Sequence, residues 1–296
     1  VLKWWYIVIP VINLLVVVLL LVNAYNDNII FERMEKIFPK DPVKTTEYIT
    51  QNGMVIECSG LTEMYTTDKG VVVTYNDITF FTTIEVTGFS YGVFALDENG
   101  EQIPLKADEE GTVFLFENPL LKDVKLKPVW LDEYQTIGLC LEIGKDWIFV
   151  NDDEKDCFKY VTMYGKMDDM VMAEKYGFEE YQGLFAGRGY IWSRSIPLLK
   201  EHLFLGCGPD NFLLAFPQND YLGMYEHGYE GLVMTKPHSM YLQIGVQTGV
   251  LSLVCILVFY IWYAVQSIKL YAFRKLGTQV EAFGMAAFIG SIGYMI

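Results

Sequence analysis

The sequence predicts an α-helical membrane bundle that carries an extracellular all-β insertion and a helical extracellular loop. Residues 4–22 and 246–265 are long apolar runs, and 282–296 begins a third. Each of the first two runs is long enough to cross a hydrocarbon core of roughly 30 Å. Because a poor cleavage site follows the first run, we interpret it as a retained membrane helix and not as a secretory signal.

Basic residues beside the apolar runs predict the orientation of a multi-pass protein in the cell membrane. Lys3 flanks the first run, and Lys269, Arg274 and Lys275 follow the second. The positive-inside rule therefore places these residues in the cytoplasm and 24–245 outside. Small residues in the third run suit packing on further helices, so we expect a piece of a larger polytopic protein. The predicted segments are membrane helices at 1–23, 246–267 and 281–296, a helix with a linker at 24–52, a β-sandwich-like module at 53–160, a loop with short helices at 161–245 and a cytoplasmic loop at 268–280.

The extracellular part is strongly acidic. It holds 18 Lys and Arg against 36 Asp and Glu, a net charge of −18, in a chain whose overall charge is −15. This charge argues against nucleic acid or an anionic membrane surface as a general partner of this part. Membrane lipids are expected around the membrane helices. The chain has only four arginines, and two of them, Arg188 and Arg194, lie six residues apart. Such a pair is a candidate for a local anion site.

Residues 53–160 have the pattern of an antiparallel β-sandwich or jelly roll. Short runs rich in β-branched and aromatic residues are separated by turn signals, of which Asp97-Glu98-Asn99-Gly100 predicts the clearest hairpin. Regular spacing of this kind is typical of packed antiparallel sheets. Four aromatic residues either fill the core, which we favour, or stack on sugar rings: Trp130, Tyr134, Trp147 and Phe149.

Five cysteines occur, and none has the CxxC or Cys/His spacing of a zinc site, so we expect no metal site. Four of them lie in the extracellular part, where a disulfide is permitted. Cys140 and Cys157 are the pair considered for a bond, with free thiols as the equal alternative.

Several short helices are predicted outside the β module. We expect one over 29–37, one over 168–181 and an amphipathic one over 190–203 that Pro197 bends or starts. Asp210 is the predicted cap of a short turn over 211–216. Gly206 and Gly208 predict a tight turn where the backbone passes close to another segment or to a ligand.

The two arginines of this loop have two interpretations. Arg188 and Trp192 are four residues apart and share a helical face, whereas Arg194 points elsewhere. A planar guanidinium fits phosphate oxygens bidentately, so the arginines could hold a lipid diphosphate without a metal. The alternative, favoured on these residues alone, is that they pair with nearby acids such as Glu179 and Glu180.

His238 follows Pro237 directly before the second apolar run. We therefore expect it in the first helical turn, at the boundary between water and lipid. A neutral imidazole near the positive end of a helix suits a base or a group that orients an acceptor. The alternative is a structural histidine at the interface. His202 and His227 have no comparable context.

Three motifs in sequence resemble the O-antigen ligase family: GR-x3-W, GxGPxNF, and PH-x2-YLQ-x5-G-x2-S running into a membrane helix. The resemblance covers residues 187–265 and leaves the β module outside. It implies a polytopic GT-C-like enzyme that transfers or polymerises a glycan from undecaprenyl diphosphate onto an acceptor hydroxyl, without cofactor or metal. The acceptor is a glycan or a lipid. Ser239 and Gln247 stand where asparagine and glutamate are common in the family.

By the same resemblance, Arg188 contacts the donor diphosphate and His238 activates or places the acceptor. Four further candidate substrate-binding residues are motif positions: Trp192, Gly206, Gly208 and Tyr241. Arg194 is a candidate only as a neighbour of the first motif, because it matches no motif position. A rival interpretation is a membrane-anchored glycan-binding receptor without catalysis. A transporter is a third, and it predicts ionisable residues inside the membrane runs, which these runs lack.

Overall fold

The computed structural model describes most of the chain from residue 46 onward. The predicted membrane helix at 1–23 and the predicted helix at 29–37 lie outside the described residues. For the first two described ranges only the backbone is described. The ranges are 46–49, 55–58, 60–87, 90–152, 157–178, 181–271 and 277–295.

Within these ranges, thirteen strands form three antiparallel sheets. A two-stranded sheet pairs β1 (Thr46–Ile49) with β2 (Val55–Cys58). The four-stranded sheet contains β3 (Leu61–Thr67), β4 (Gly70–Tyr75), β5 (Ile78–Thr87) and β6 (Ser90–Asp97). The seven-stranded sheet contains β7 (Leu105–Ala107), β8 (Phe114–Phe116), β9 (Lys125–Leu131), β10 (Thr136–Ile143), β11 (Lys145–Asp152), β12 (Cys157–Val161) and β13 (Met167–Asp168).

The strand order in the two larger sheets is that of a meander. Each strand pairs with its neighbours in sequence, in the orders β3-β4-β5-β6 and β13-β12-β11-β10-β9-β8-β7. A jelly roll contains Greek-key connections, in which a strand returns by a long crossover to lie beside an earlier one. The described strands make no such crossover, so the jelly-roll order predicted as one possibility is not formed.

Both larger sheets contribute to one hydrophobic core. Alternate residues of a strand point to the same face, and in β4 this places Val71 and Val73 inside with 0% exposure. Trp147 and Phe149 of β11 are also fully buried in this core, which confirms the core interpretation for these two aromatics. Trp130, next to the last residue of β9, is instead 53% exposed.

Backbone hydrogen bonds join the two larger sheets at both edges. The Ile103 amide donates to the Ala95 carbonyl at 2.8 Å, and the Thr66 amide donates to the Met170 carbonyl at 2.9 Å. These bonds occupy groups of the edge strands β6 and β3 that would otherwise stay open to another chain.

The predicted turn after β6 forms, but its hairpin is short. The Asp97 carboxylate accepts from the amides of Asn99 and Glu101 at 2.9 and 2.8 Å, and Gly100 has a φ of 82°. These hydrogen bonds to the backbone lower the pKa of the Asp97 carboxyl. A single bridge joins Leu96 to Gln102, because the next strand, β7, belongs to the other sheet.

Residues 169–178, which follow β13, form no regular secondary structure, so the helix predicted over 168–181 is wrong. Their amides bond to distant segments: Val171 donates to the Asn219 carbonyl at 3.1 Å and Tyr176 to the Ser193 carbonyl at 2.9 Å. Because these donors are used by other parts of the chain, no ladder of i→i−4 bonds forms here.

Six α-helices lie in the described ranges. The helix predicted over 190–203 forms as part of the first of them, which begins earlier, at Leu184, ends at Glu201 and has Pro197 in its interior. Asn211 stands at the N-cap position of the second, where Asp210 was expected, because Asp210 has a φ of 59° and turns away from helical geometry. The helices are α1 (Leu184–Glu201), α2 (Phe212–Ala215), α3 (Tyr221–Glu226), α4 (Met240–Thr248), α5 (Val250–Tyr271) and α6 (Gln279–Met295).

The chain divides into two compact units. The first contains the described residues up to Arg194 together with Pro217–Val233, and therefore includes all three sheets and α3. The second contains Ser195–Phe216 and the described residues from Met234 onward, with α2, α4, α5 and α6.

Among the described residues, α5 is the one helix both long and apolar enough to cross a membrane. It begins at Val250 and not at 246 as predicted, because Gly249, with a φ of 97°, separates it from α4. A side chain at Gly249 would lie 2.3 Å from the Phe204 carbonyl oxygen, so close packing also favours glycine here.

The cysteines described with their side chains are free thiols. Cys140 on β10 and Cys157 on β12 do not form the disulfide considered from the sequence, because β11 lies between their strands. Burial raises the pKa of the Cys140 thiol to about 12, which makes it an inert core residue.

Candidate active site

Arg188 follows three consecutive residues with left-handed backbone. Phe185, Ala186 and Gly187 have φ values of 53°, 60° and 86°. Non-glycine residues seldom adopt this conformation, and runs of such strained residues concentrate at functional positions. At Gly187 a Cβ atom would also lie 2.5 Å from the Tyr229 hydroxyl. The glycine before Arg188 is therefore required both by its φ and by the neighbouring ring.

The glycine after Arg188 has a different physical cause. Gly189 is buried, and a Cβ atom there would lie 2.2 Å from the Tyr181 carbonyl oxygen. The next amide, that of Tyr190, donates to the Gln182 carbonyl at 2.8 Å. The GRG sequence thus lets the start of α1 lie directly on the backbone at 181–182, with the arginine between the two glycines turned outward.

Arg188 is exposed and lies beside Tyr229. Burial raises the pKa of the Tyr229 hydroxyl, and the positive charge of Arg188 partly offsets that rise. The Tyr229 hydroxyl also donates to the Ala186 carbonyl at 3.4 Å. Tyr229 thus touches the strained turn and faces the arginine that the turn carries, a contact that the sequence did not reveal.

Arg194 is buried, with 4% of its surface exposed. Its Nε donates to Asp220 Oδ2 at 3.0 Å, and its Nη1 donates to the Gln182 side chain and to Ser193 Oγ. The acids expected as alternatives, Glu179 and Glu180, lie outside the described residues. The acid that Arg194 binds is 26 positions away in sequence, so local spacing could not have identified it.

Asp220 and Tyr190 complete this buried network. Asp220 is fully buried, and its Oδ2 also accepts from the Tyr190 hydroxyl at 3.1 Å. The Tyr190 ring lies 4.2 Å from the Arg194 guanidinium carbon and stacks on His227 and Tyr229 at 5.0 and 5.5 Å. Burial raises the pKa of the Tyr190 hydroxyl, which keeps it a donor. The network joins α1 to α3 within the first unit.

Trp192 is half-buried between two other rings. Its ring centroid lies 5.4 Å from that of Phe178 and 5.3 Å from that of Phe185. These tilted and edge contacts pack the side of α1 that carries Arg188 four residues earlier. The predicted substrate-binding role of Trp192 remains a prediction.

His238 directly precedes the N-cap of α4 and is exposed. It is not in the first helical turn as expected, because the helix begins at Met240 and Ser239 is its cap. The Ser239 hydroxyl oxygen accepts from the Leu242 amide at 3.5 Å, which satisfies one amide of the first turn. His238 itself has a φ of 51°, so its imidazole is carried on a turned backbone at the head of the helix.

An open cleft of about 460 Å³ surrounds His238. Its polar lining includes Lys236 and the side-chain amides of Gln243 and Gln247. Gln247 is 8% exposed. Lys236 was not selected from the sequence, although it is the cation nearest to the Pro-His motif along the chain. The cleft thus combines an imidazole, an ammonium group and two amides.

Gly206 and Gly208 lie in a loop that packs on the end of α4. The amides of Cys207 and Gly208 donate to the carbonyls of Val246 and Gln247 at 2.8 and 3.0 Å. A Cβ atom at Gly206 would lie 2.3 Å from the Gln247 carbonyl. The close backbone approach predicted from these glycines therefore exists, and the neighbouring segment is α4.

The candidate residues are distributed over both units. Arg188, Trp192 and Arg194 belong to the first, whereas Gly206, Gly208, Tyr241 and His238 belong to the second. Tyr241 is half-buried in the first turn of α4. In the part of the chain that the structure describes, no three His, Cys, Asp or Glu side chains are grouped as metal ligands.

Comparison with known proteins identifies the segment that contains these residues. The family model described as O-antigen ligase matches residues 157–273. No curated protein and no solved structure matches the chain. The match begins at β12, so the last strands of the β module lie within it, whereas the sequence motifs placed the module outside. It confirms the predicted resemblance: residues 157–273 match the O-antigen ligase family, which is membrane-associated and of general ligase or polymerase type.

Proposed function

We propose that the protein is a multi-pass glycosyltransferase that moves a glycan from undecaprenyl diphosphate to an acceptor hydroxyl at the outer face of the membrane. The observation that carries the proposal is the environment of His238. Its imidazole is exposed in a polar cleft, two residues before a helix that leads through Gly249 into the membrane helix α5. A histidine in this setting can meet an acceptor hydroxyl where a lipid-linked donor also presents its sugar.

Arg188 is the proposed contact to the donor diphosphate. Its guanidinium is exposed, whereas Arg194 is committed to Asp220 in the protein interior. A planar guanidinium donates two parallel hydrogen bonds to phosphate oxygens. The surrounding extracellular part has a net charge of −18, which repels a diphosphate in general. The exposed guanidinium of Arg188 therefore offers a local attraction for a diphosphate in a part of the chain whose net charge is repulsive.

The proposed reaction is a single displacement at the anomeric carbon of the sugar. The acceptor oxygen bonds to C1 while the bond from C1 to the diphosphate oxygen breaks. The His238 imidazole takes or orients the acceptor proton, and Arg188 holds the negative charge of the leaving diphosphate. The leaving group is already good, so catalysis consists mainly of positioning and charge stabilisation. We propose that these side chains suffice without a metal or another cofactor.

The test is substitution in the full-length protein, expressed in cells that lack the gene. Arg188→Ala and His238→Ala should each lower glycan transfer roughly 10²- to 10³-fold, because each removes a group that acts in the transition state. Lys175→Ala and His202→Ala are the matched controls, and they should transfer glycan at the wild-type rate.

Transfer is measured as surface polymer together with the pool of undecaprenyl-linked intermediates, by mass spectrometry. The inactive variants should insert in the membrane normally and accumulate lipid-linked units. Wild-type polymer in both variants would refute the site. An unchanged lipid-linked pool after deletion of the gene would instead favour a glycan receptor without catalysis.

A further inference from the structure

We propose that the first unit contains a sugar-binding pocket distinct from the catalytic candidates, and that it holds one pyranose residue of a glycan substrate. The pocket has a volume of about 270 Å³ and lies between the turn joining β12 to β13 and the segment at 218–233. The inference rests on the proposed function only in taking the ligand to be a glycan that the protein processes.

Two of the tyrosines that line this pocket are held in place by the protein. Tyr160 is 5% exposed and Tyr221 is half-buried, and their ring centroids lie 4.8 Å apart at 49°. The Tyr221 hydroxyl donates to Asp168 Oδ2 at 2.6 Å, and Lys145 Nζ donates to the Tyr160 hydroxyl at 3.4 Å. Because both hydroxyls have protein partners, these rings are held in place before a ligand binds.

A third tyrosine forms an exposed wall. Tyr164 is 68% exposed, and its hydroxyl donates to the Gly231 carbonyl at 2.9 Å. The turn that carries it is closed by the Gly165 amide, which donates to the Thr162 carbonyl at 2.8 Å. An exposed ring fixed at its backbone and at its hydroxyl loses little freedom on binding, which favours affinity.

Polar groups share the lining of the pocket with five apolar side chains, those of Met163, Met167, Met224, Leu232 and Val233. Asp168 and Glu230 supply carboxylates, Gln218 an amide and Lys166 an ammonium group. Glu230 is bound to Lys145, and Asp168 to Tyr221, yet each carboxylate oxygen has a second lone pair that can accept from a hydroxyl. The pocket thus combines aromatic faces with hydrogen-bonding groups.

This combination favours a sugar over the other ligand classes. A pyranose has C–H faces, which suit the negative faces of aromatic rings, and hydroxyls that donate to carboxylates. A purely apolar ligand would cover Asp168 and Glu230 without giving them donors, which costs free energy. A phosphate would meet two carboxylates against one lysine. A neutral sugar satisfies both kinds of surface.

The elements that form the pocket lie inside the segment that matches the O-antigen ligase family. β12, β13 and α3 all fall within residues 157–273. A sugar held here would therefore contact the ligase segment itself, and the β module would contribute through its last two strands.

The experiment measures saccharide binding to the purified full-length protein. The probe is a fluorescently labelled oligosaccharide released by mild acid from the source organism's own surface polysaccharide, and anisotropy gives the Kd. Tyr164→Ala should raise the Kd roughly three- to tenfold, because it removes one stacking ring. Tyr164→Phe keeps the ring and loses only the hydrogen bond to Gly231, so it should raise the Kd less than Tyr164→Ala does.

Tyr176→Ala is the matched control, because Tyr176 is 64% exposed and does not line the pocket. Equal Kd values for Tyr164→Ala and Tyr176→Ala would show that the saccharide does not bind in this pocket, whether or not the protein transfers glycan. Binding of an apolar dye that depends on Tyr164, without saccharide binding, would also overturn it.

Additional binding measurements distinguish the sugar pocket from the proposed catalytic site and identify whether the sugar comes from the donor or the acceptor. Binding that depends on Tyr164 and persists in His238→Ala supports a site apart from catalysis. The same binding in a wild-type protein that never transfers glycan would leave the pocket standing and refute the proposed function. Competition by an undecaprenyl-diphosphate-linked unit assigns the pocket to the donor, and competition by free acceptor oligosaccharide assigns it to the acceptor.

Discussion

The exposed start of α1 and its buried middle each carry an arginine, and the two side chains are in opposite environments. Arg188 follows three left-handed residues and is exposed next to Tyr229. Arg194, six residues later, is 4% exposed and bound to Asp220, Gln182 and Ser193. The comparison shows that spacing along a helix does not decide whether an arginine can bind a ligand. Burial and the identity of the nearest acid decide it.

The backbone conformation also differs between the two environments. The side chain of Arg194 is held inside the protein by Asp220, Gln182 and Ser193. Around Arg188 the backbone is strained and flanked by Gly187 and Gly189, each of which approaches another segment closely. Strain of this kind persists only where surrounding contacts hold it, and it concentrates at functional sites. The region around Arg194 therefore contributes to stability, whereas the region around Arg188 presents a positive charge at the surface.

The largest expected effect is on stability, from Arg194→Met. The substitution leaves the fully buried Asp220 carboxylate without its cation, which should cost about 3–5 kcal/mol of folding free energy. Thermal unfolding and limited proteolysis of the full-length protein measure the loss. Arg188→Met is the matched control and should unfold like the wild type. If both variants unfold at the same temperature, the claim that Arg194 stabilises the fold and Arg188 does not would be wrong.

A smaller effect, on activity alone, is expected from Arg188→Lys. Lysine keeps the positive charge and loses the planar fork that matches a diphosphate, so transfer should fall roughly 10- to 100-fold. The unfolding temperature should not change. Glycan transfer by membranes containing equal amounts of protein is the measurement. Full activity with lysine would mean that charge alone is needed, and that the bidentate contact is not made.

The smallest effect is expected from Gly187→Ala. Alanine at a φ of 86° costs about 1–2 kcal/mol, and its methyl group must displace the Tyr229 hydroxyl. We expect a modest loss of stability and a several-fold loss of transfer, because the turn that carries Arg188 shifts. Gly228→Ala is the control: it has a φ of 73° and open space around it, so it isolates backbone strain from the contact. Equal activity of the two variants would show that the contact with Tyr229 does not position Arg188.

Local sequence patterns predicted the parts of the fold that depend on local interactions. The turn signal at 97–100 forms, since an aspartate that accepts neighbouring amides and a glycine with positive φ act within five residues. The predicted helix at 168–181 failed for the opposite reason. Its amides at Val171 and Tyr176 bond to Asn219 and Ser193, far along the chain, and no local pattern encodes those partners.

The same distinction applies to the candidate site. His238, next to a proline and before an apolar run, could be selected from the sequence, and so could Arg188 in its GRG motif. The neighbours of these residues could not. Tyr229 lies more than forty residues after Arg188, and Lys236 is an isolated lysine that becomes informative only in the cleft around His238.

By itself, the sequence determined a membrane-associated protein with a β-rich part and a segment of O-antigen ligase type, because hydropathy, turn chemistry and motif order are local properties. The tertiary structure decided which of the two arginines is available. Asp220 neutralises Arg194 inside the first unit, while Gly187, Gly189 and Tyr229 keep Arg188 at the surface. The physical reason is that burial and ion pairing arise between residues that are distant in sequence, and only folding brings them together.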